Sequence, residues 1–351
     1  MEVSHVYRWD LDKTYLQTDF DTLRGLLRAA REKASAKVNV AGSRALVREL
    51  QSRPGARVCI ISGSPRQMRR KLEEKFRLDG VEIDELVLKP NVENFVRGRF
   101  RAIRDQVGYK LPALLEGRSR VPSTASETLF GDDAEADAFV YSIYADLVEQ
   151  RLSTSELAEI LERCGIYEDD AERALRLASS LQKGPPIERI FIHLDGFSPP
   201  ASFHAYGRRV VPIYNYFQAA VLLLLDGHVG PISLVRLAVD LSQGYGYSLV
   251  SLANSFQDLV RRGLARAEDM AAIRLAFEAN VALFDKLRPA TEVIQTFVER
   301  LRMIGGLKPA AEREQRRIDY LAIIEREGPP NTWRRRRRHR ATAPRPKGPP
   351  F

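Results

Sequence analysis

The sequence predicts an α/β protein, a parallel sheet interleaved with helices, followed by a mostly α-helical C-terminal region and a basic tail. Three observations carry this. Short apolar runs recur between stretches of helical spacing, the pattern of βαβ units. The run Arg57-Val58-Cys59-Ile60-Ile61 is apolar almost throughout, as in a strand covered on both faces. From about Tyr206 to Arg326 the spacing is helical only.

Residues 3–9 form an apolar and aromatic stretch that runs into Asp10 and predicts the first strand, although Arg8 interrupts it. Leu23, Leu26, Leu27 and Ala30 predict a helix over 21–31. After Gly42, a second helix follows over 44–50, with Leu46, Val47 and Leu50 on one face. Pro54-Gly55 turns the chain into the strand at 57–61. In Ser62-Gly63-Ser64-Pro65, Ser64 reads as the N-cap of a basic helix starting near Arg66, because proline suits a first helical position.

Residues 84–88 predict another short strand, and a helix begins over 109–115. The strand at 126–130 is ended by Gly131-Asp132-Asp133. Helices over 155–164 and 169–181 form an insertion of about 151–185, closed by Gly184-Pro185-Pro186. A strand over 187–194 then returns to the sheet. The expected division is an α/β domain over 1–205, a helical domain over 206–328, and a disordered Arg/Pro-rich tail over 329–351.

The net charge of +9 belongs to that tail. Arg334 to Arg338, Arg340, Arg345 and Lys347 are eight cations without an acid; removing them leaves +1 for residues 1–330. Trp333 beside this run favours an anionic membrane surface, at about 1 kcal/mol per basic residue. The same tail suits nonspecific nucleic-acid binding, or plain solvation with no specific partner. Cys59 and Cys164 are too few for a disulfide framework, which points to a reducing compartment. The most lipophilic stretch, 219–225, is far short of the ~20 apolar residues that cross a bilayer. The expected location is cytoplasmic, with peripheral membrane attachment open through the tail.

Several residues carry chemistry at the ends of expected strands, where ligands bind in open α/β sheets. In Asp10-Leu11-Asp12-Lys13-Thr14, one carboxylate can attack phosphorus while the other handles the leaving-group proton. The alternative is an ordinary strand-to-turn Asx cluster. Ser62 and Gly63, after Ile60-Ile61, suit a phosphoryl oxygen; the alternative is that Ser62 and Ser64 are two ordinary capping serines. A cation is needed beside the phosphate; Lys110 is preferred, with Lys89 at a strand end as the rival. Asp132 is the expected Mg²⁺ ligand opposite Asp10, supported by Asp133 or Asp137. Some of these acids would also cap the following helix.

Taken in order, Asp10-Leu11-Asp12-Lys13-Thr14, Ser62, Lys110 and Gly131-Asp132-Asp133 resemble the four motifs of haloacid dehalogenase (HAD) superfamily phosphatases. Within it the chain looks closest to the phosphatidate phosphatase catalytic domain of fungi and bacteria, and more distantly to the lipins. Val40-Ala41-Gly42-Ser43, Ile61-Ser62-Gly63-Ser64-Pro65, Tyr109-Lys110-Leu111, and Asp137 with Tyr141 carry that likeness. The resemblance implies a Rossmann-like parallel sheet of HAD type and an Mg²⁺-dependent phosphatase. It also implies Asp10 as nucleophile, Asp12 as acid/base, and Ser62 and Lys110 on the phosphoryl group. Asp132, Asp10 and the main-chain carbonyl of Asp12 would hold the metal. Lys13, Gly63 and His193 depart from the family's usual acid, Asn and Arg.

No large cap fits between Asp10 and Ser62 or between Ser62 and Lys110. An open site suits a large or membrane-borne phosphate ester; protein, nucleotide and sugar phosphates are the alternatives. A catalytically silent binding protein is the competing class. Its support is residues 233–264, where Gly244-Tyr245-Gly246 separates two helical stripes as in a helix-turn-helix, although the segment has no dense basic face.

Overall fold

The computed structural model describes residues 2–17, 33–89, 102–280, 290–303 and 317–327. The helix expected over 21–31 and the basic tail lie outside the described residues. The described chain divides into two compact units. The sheet unit takes in 2–17, 33–38, 54–89, 102–212 and 317–327, and the helical unit 39–53, 213–280 and 290–303. Helix α1 (Ser43–Gln51) thus groups with the helical unit, and the helix Tyr320–Glu327 with the sheet.

In the sheet unit, β1 (His5–Asp10) lies between β2 (Ala56–Pro65) and β4 (Ser126–Asp132). Strand β3 (Glu85–Lys89) flanks β2, while β5 (Arg189–His193) and then β6 (Val210–Ile213) extend the other side. The β1–β2, β2–β3, β1–β4 and β4–β5 pairings are all parallel. This is a Rossmann-like order, and it reverses direction between β1 and β4. At such a reversal the crossover helices leave to opposite faces, opening a crevice beyond the strand ends.

Three buried aromatic side chains run across the centre of the sheet. Trp9, Phe130 and Phe191 sit opposite one another in register on adjacent strands. Their rings stack at 3.8 Å between Trp9 and Phe130 and 5.1 Å between Phe130 and Phe191. Each such pair contributes about 0.5–1.5 kcal/mol beyond its burial. The ladder lies immediately below the strand ends that carry Asp10 and Asp132, and so gives them a rigid base.

Helix α2 (Arg69–Asp79) follows β2, α3 (Ala102–Ser119) packs on β2, and α4 (Asp137–Val148) packs on β4 and β5. Arg8 does not interrupt its strand. It is buried and forks onto Glu127 at 2.8 and 2.9 Å, where Arg118 of α3 and the Tyr144 hydroxyl of α4 also donate. A strand residue that looks polar in sequence is here one half of a cross-strand ion pair. The helical insertion is α5 (Thr154–Arg163), closed by a Ser153–Glu156 capping box, and α6 (Glu168–Ser179), whose first turn carries three acids.

Three further expectations are corrected. Ser64 caps no helix: β2 stays extended through Pro65 across a register shift between Ser62 and Pro65, and a 3₁₀ turn at Arg66–Met68 precedes α2. Helix α3 begins at Ala102, so Lys110 lies mid-helix rather than at its start. Gly108 and Pro112 hide that continuity, both being poor interior helix residues. The region after Tyr206 is not helical throughout, because Val210-Val211-Pro212-Ile213 forms β6, too short a run to show a period of two.

In the helical unit, α7 (Tyr216–Leu225) is nearly all buried, which accounts for the lipophilic stretch. Its N-cap Asn215 accepts from the Gln218 N–H at 3.2 Å. Helix α8 (Pro231–Tyr245) ends at Gly246 (φ 72°), and α9 (Leu249–Arg261) is capped by Ser248. Leu249, Leu252, Phe256, Leu259 and Val260 are all buried, so that stripe is packing surface within the unit. Helices α10 (Met270–Ala279) and α11 (Ala290–Arg302) follow among the described residues. Among the described residues, no helix is long and apolar enough to cross a membrane.

Candidate active site

Asp10 ends β1 and Asp132 ends β4, neighbouring strands at the point where the order reverses. Beyond Asp10 the chain turns tightly. The Tyr15 and Leu16 N–H groups both donate to the Leu11 carbonyl, and Lys13 adopts φ 62°. The loop is anchored on two sides: the Tyr15 hydroxyl donates to Asp79 at 2.7 Å, and His193 Nδ1 lies 3.0 Å from the Lys13 carbonyl.

Lys110 reaches this corner from α3, buried to 1% exposure. Its ammonium lies 2.7 Å from Asp10 Oδ1, 2.8 Å from Glu135 Oε2 and 2.5 Å from Asp137 Oδ1. Asp132 accepts the Ala134 and Glu135 N–H groups on Oδ1, at 2.6 and 3.1 Å. That turn brings Glu135 back toward Lys110 and delivers Asp137 to the start of α4. Asp137 Oδ2 in turn accepts the Asp132 N–H at 3.1 Å.

The result is four carboxylates, from Asp10, Asp132, Glu135 and Asp137, each with an oxygen within 4.8 Å of the others. Burial pushes the Asp10 carboxyl well above its ordinary range; Asp137, Glu135 and Asp12 push it further, against Lys110. Asp132 is raised by burial, then by Asp137, Glu135 and Asp10. Burial alone would lower Lys110, but Asp10, Asp137 and Glu135 outweigh it and hold the ammonium well above its usual value. Four acids beside this one lysine are under-neutralised. Asp10 Oδ2 and Asp132 Oδ2 are both buried and have no hydrogen-bond partner among the described residues. Such atoms are costly unless a ligand satisfies them, and hard oxygen donors of this kind fit a divalent cation such as Mg²⁺. The cluster can therefore hold a metal ion.

Compared with protein-family models, curated proteins and solved structures, the chain finds no match. The site therefore rests on its own geometry.

The other candidates fall out differently. Ser62 is buried in β2; its hydroxyl accepts the Ser64 N–H at 3.0 Å and donates to Asp12 Oδ2 at 3.3 Å. Gly63 is exposed at the bulge that follows, where an added Cβ would meet nothing within 4 Å. The Asp12 side chain is outside the acidic cluster and faces Ser62. Asp133, one of the two residues expected in support, is also outside it: its two oxygens accept the Gly196 and Ser198 N–H groups at 2.6 and 2.8 Å, pinning the loop after β5. Lys89 ends β3, two strands from β1, and among the described residues the cluster's cation is Lys110. Asp137, left open in the sequence against Asp133, is the one brought in. Glu135 was missed. Its signal was the acid three residues after Asp132, on a turn that returns to the strand end.

Gly131 is required by closeness. A Cβ there would lie 2.6 Å from Asp137 Cβ and 2.8 Å from Cγ, with Oδ2 nearer still. Neither strand end nor helix start can yield without moving the cluster. Gly131→Ala is expected to cost about 1–3 kcal/mol by overpacking, read as a lowered urea midpoint, and to weaken divalent-cation binding. An unchanged midpoint and cation affinity would contradict this packing.

Proposed function

We propose that this chain is an Mg²⁺-dependent phosphatase of the HAD type, hydrolysing a phosphate monoester through an aspartyl-phosphate on Asp10. The observation that supports this most is the pair of buried, unpartnered oxygens at the ends of β1 and β4, beside a lysine fixed on the same Asp10. When bound, Mg²⁺ supplies positive charge against the phosphoryl oxygens and the acids around them.

Asp10 attacks phosphorus, forming an oxygen–phosphorus bond as the bond to the leaving oxygen breaks. The nucleophile must be ionised, and Lys110 at 2.7 Å favours that form against burial. Asp12, two residues on and held by the Ser62 hydroxyl, gives its proton to the leaving oxygen. It then takes a proton from the water that attacks the phospho-aspartate, releasing phosphate and restoring Asp10. Ser62 and Lys110 orient the phosphoryl group, and Asp132 and Asp137 hold the negative side of the site.

The absence of a large cap, read from the short sequence intervals, favours a large or membrane-borne ester such as phosphatidate. The basic tail would serve as an anchor to an anionic surface. Protein, nucleotide and sugar phosphates form the second substrate class. The test is phosphate release with and without Mg²⁺ from a general aryl phosphate, phosphatidate vesicles, a phosphoprotein, nucleotides and sugar phosphates. Release that chelation abolishes is expected. No release from any ester at saturating Mg²⁺ would favour a silent binding protein instead.

A further inference from the structure

An ammonium group carries three N–H donors. At Lys110 all three have a carboxylate within reach: Asp10 Oδ1, Glu135 Oε2 and Asp137 Oδ1. In this state the lysine has no donor left for a phosphoryl oxygen, so one carboxylate must move before phosphate can bind there. Asp10 is fixed at a strand end and is the attacking group itself. Asp137 is fully buried, and its second oxygen takes the Asp132 N–H. Glu135 alone of the three reaches solvent, with 22% of its side chain exposed against 1% and 0% for the others.

We infer that Glu135 is a placeholder on Lys110, occupying the position of a substrate phosphoryl oxygen and swinging out to solvent when phosphate arrives. This rests on the phosphatase reading above. Glu135 takes the Lys110 donor that a phosphoryl oxygen would need, and it is the carboxylate of the three with a path to solvent. The cost is carried by every ligand, which must displace Glu135, so a dianionic phosphate with several acceptor oxygens gains over a monoanion. Glu135 would thereby set affinity and selectivity for the phosphoryl group, while Asp10 and Asp132 hold the cation.

The experiment titrates inorganic phosphate into the full chain at saturating Mg²⁺ by calorimetry, and separately titrates Mg²⁺ alone. Wild type is compared with Glu135→Asp, which keeps the charge but falls one methylene short of Lys110, and with Glu135→Gln, which removes the charge. Both variants are expected to bind phosphate more tightly, by about tenfold, since a charge-assisted hydrogen bond no longer competes. Glu135 is one of the four clustered acids, so Mg²⁺ affinity is expected to fall in Glu135→Gln, which removes a charge, by less than the about 10- to 100-fold that loss of a supporting group causes, and to fall less still in Glu135→Asp. Tightening in Glu135→Gln alone would show general repulsion and overturn the placeholder role. Unchanged or weaker phosphate binding overturns it, as does no phosphate binding in any of the three proteins. A large loss of Mg²⁺ affinity in both variants overturns it too, marking Glu135 as a cation ligand. Failure of the phosphatase reading is a separate result, the absence of ester turnover across the substrate panel.

Discussion

Asp10→Asn is expected to lose Mg²⁺-dependent phosphate release by on the order of 10⁴-fold or more while the chain stays folded. The substitution keeps the shape of the side chain and leaves an oxygen for Lys110, now at 2.7 Å from Asp10 Oδ1. What it removes is the proposed nucleophile, one of four crowded acids. Because burial and neighbouring carboxylates already press against ionisation of Asp10, losing its charge relieves repulsion. The thermal midpoint without Mg²⁺ should therefore hold or rise. Adding Mg²⁺ should stabilise wild type by mass action, about 2.7 kcal/mol at a hundred times the dissociation constant, and stabilise the variant much less. Phosphate release and thermal unfolding, each with and without Mg²⁺, read all of this together. Turnover within tenfold of wild type would mean that another group attacks phosphorus.

Asp10, Lys110 and Asp132 are legible in the sequence for a local reason. Asp10 and Asp132 each follow directly on an apolar strand, and parallel strands bring their carboxyl ends to one edge. Lys110 stands beside Leu111 and Leu114, whose burial shows which way the helix faces. The residues that escaped depend on contacts that periodicity cannot register. Glu135 enters the cluster only because Asp132 Oδ1 accepts two N–H groups and turns the chain back. Asp133 leaves it because the Gly196 and Ser198 amides, more than sixty residues on, use both its oxygens. Ser64 looked like a cap because proline directly after a serine suits a first helical position, yet pairing of Pro65 with Lys89 keeps the strand extended. The grouping of α1 with the helical unit is likewise a tertiary fact: Gly42 (φ 82°) brings its start against Leu237, Leu241 and Tyr216.

Arg8 is the sharpest such case, and it leads to the largest expected loss of stability. Glu127→Gln should cost about 3–5 kcal/mol, because it leaves two guanidinium groups buried beside a neutral amide. Both Glu127 oxygens are in use: Oε2 accepts from Arg8 and the Tyr144 hydroxyl, Oε1 from Arg8 and Arg118. A glutamine must turn its own N–H₂ toward donors on one side. Burial alone would raise the Glu127 carboxyl, but the charge and hydrogen bonds of Arg8, then Arg118 and Tyr144, hold it below its ordinary 4.5. A carboxyl depressed in the folded state contributes stability that is fully present above the unfolded value and fades as pH falls through the lower folded one. The wild-type urea midpoint should therefore drop as pH falls below about 4.5, with a flatter slope in Glu127→Gln. A loss under 1 kcal/mol, or the same slope in both proteins, would show that the network contributes little. Arg8 lies two residues before Asp10 on β1, and Glu127 is the second residue of the strand that ends in Asp132. The ion pair thus ties together the two strands whose ends carry Asp10 and Asp132 of the acidic cluster. Its loss should appear first as weaker Mg²⁺ binding at temperatures where the variant is still folded.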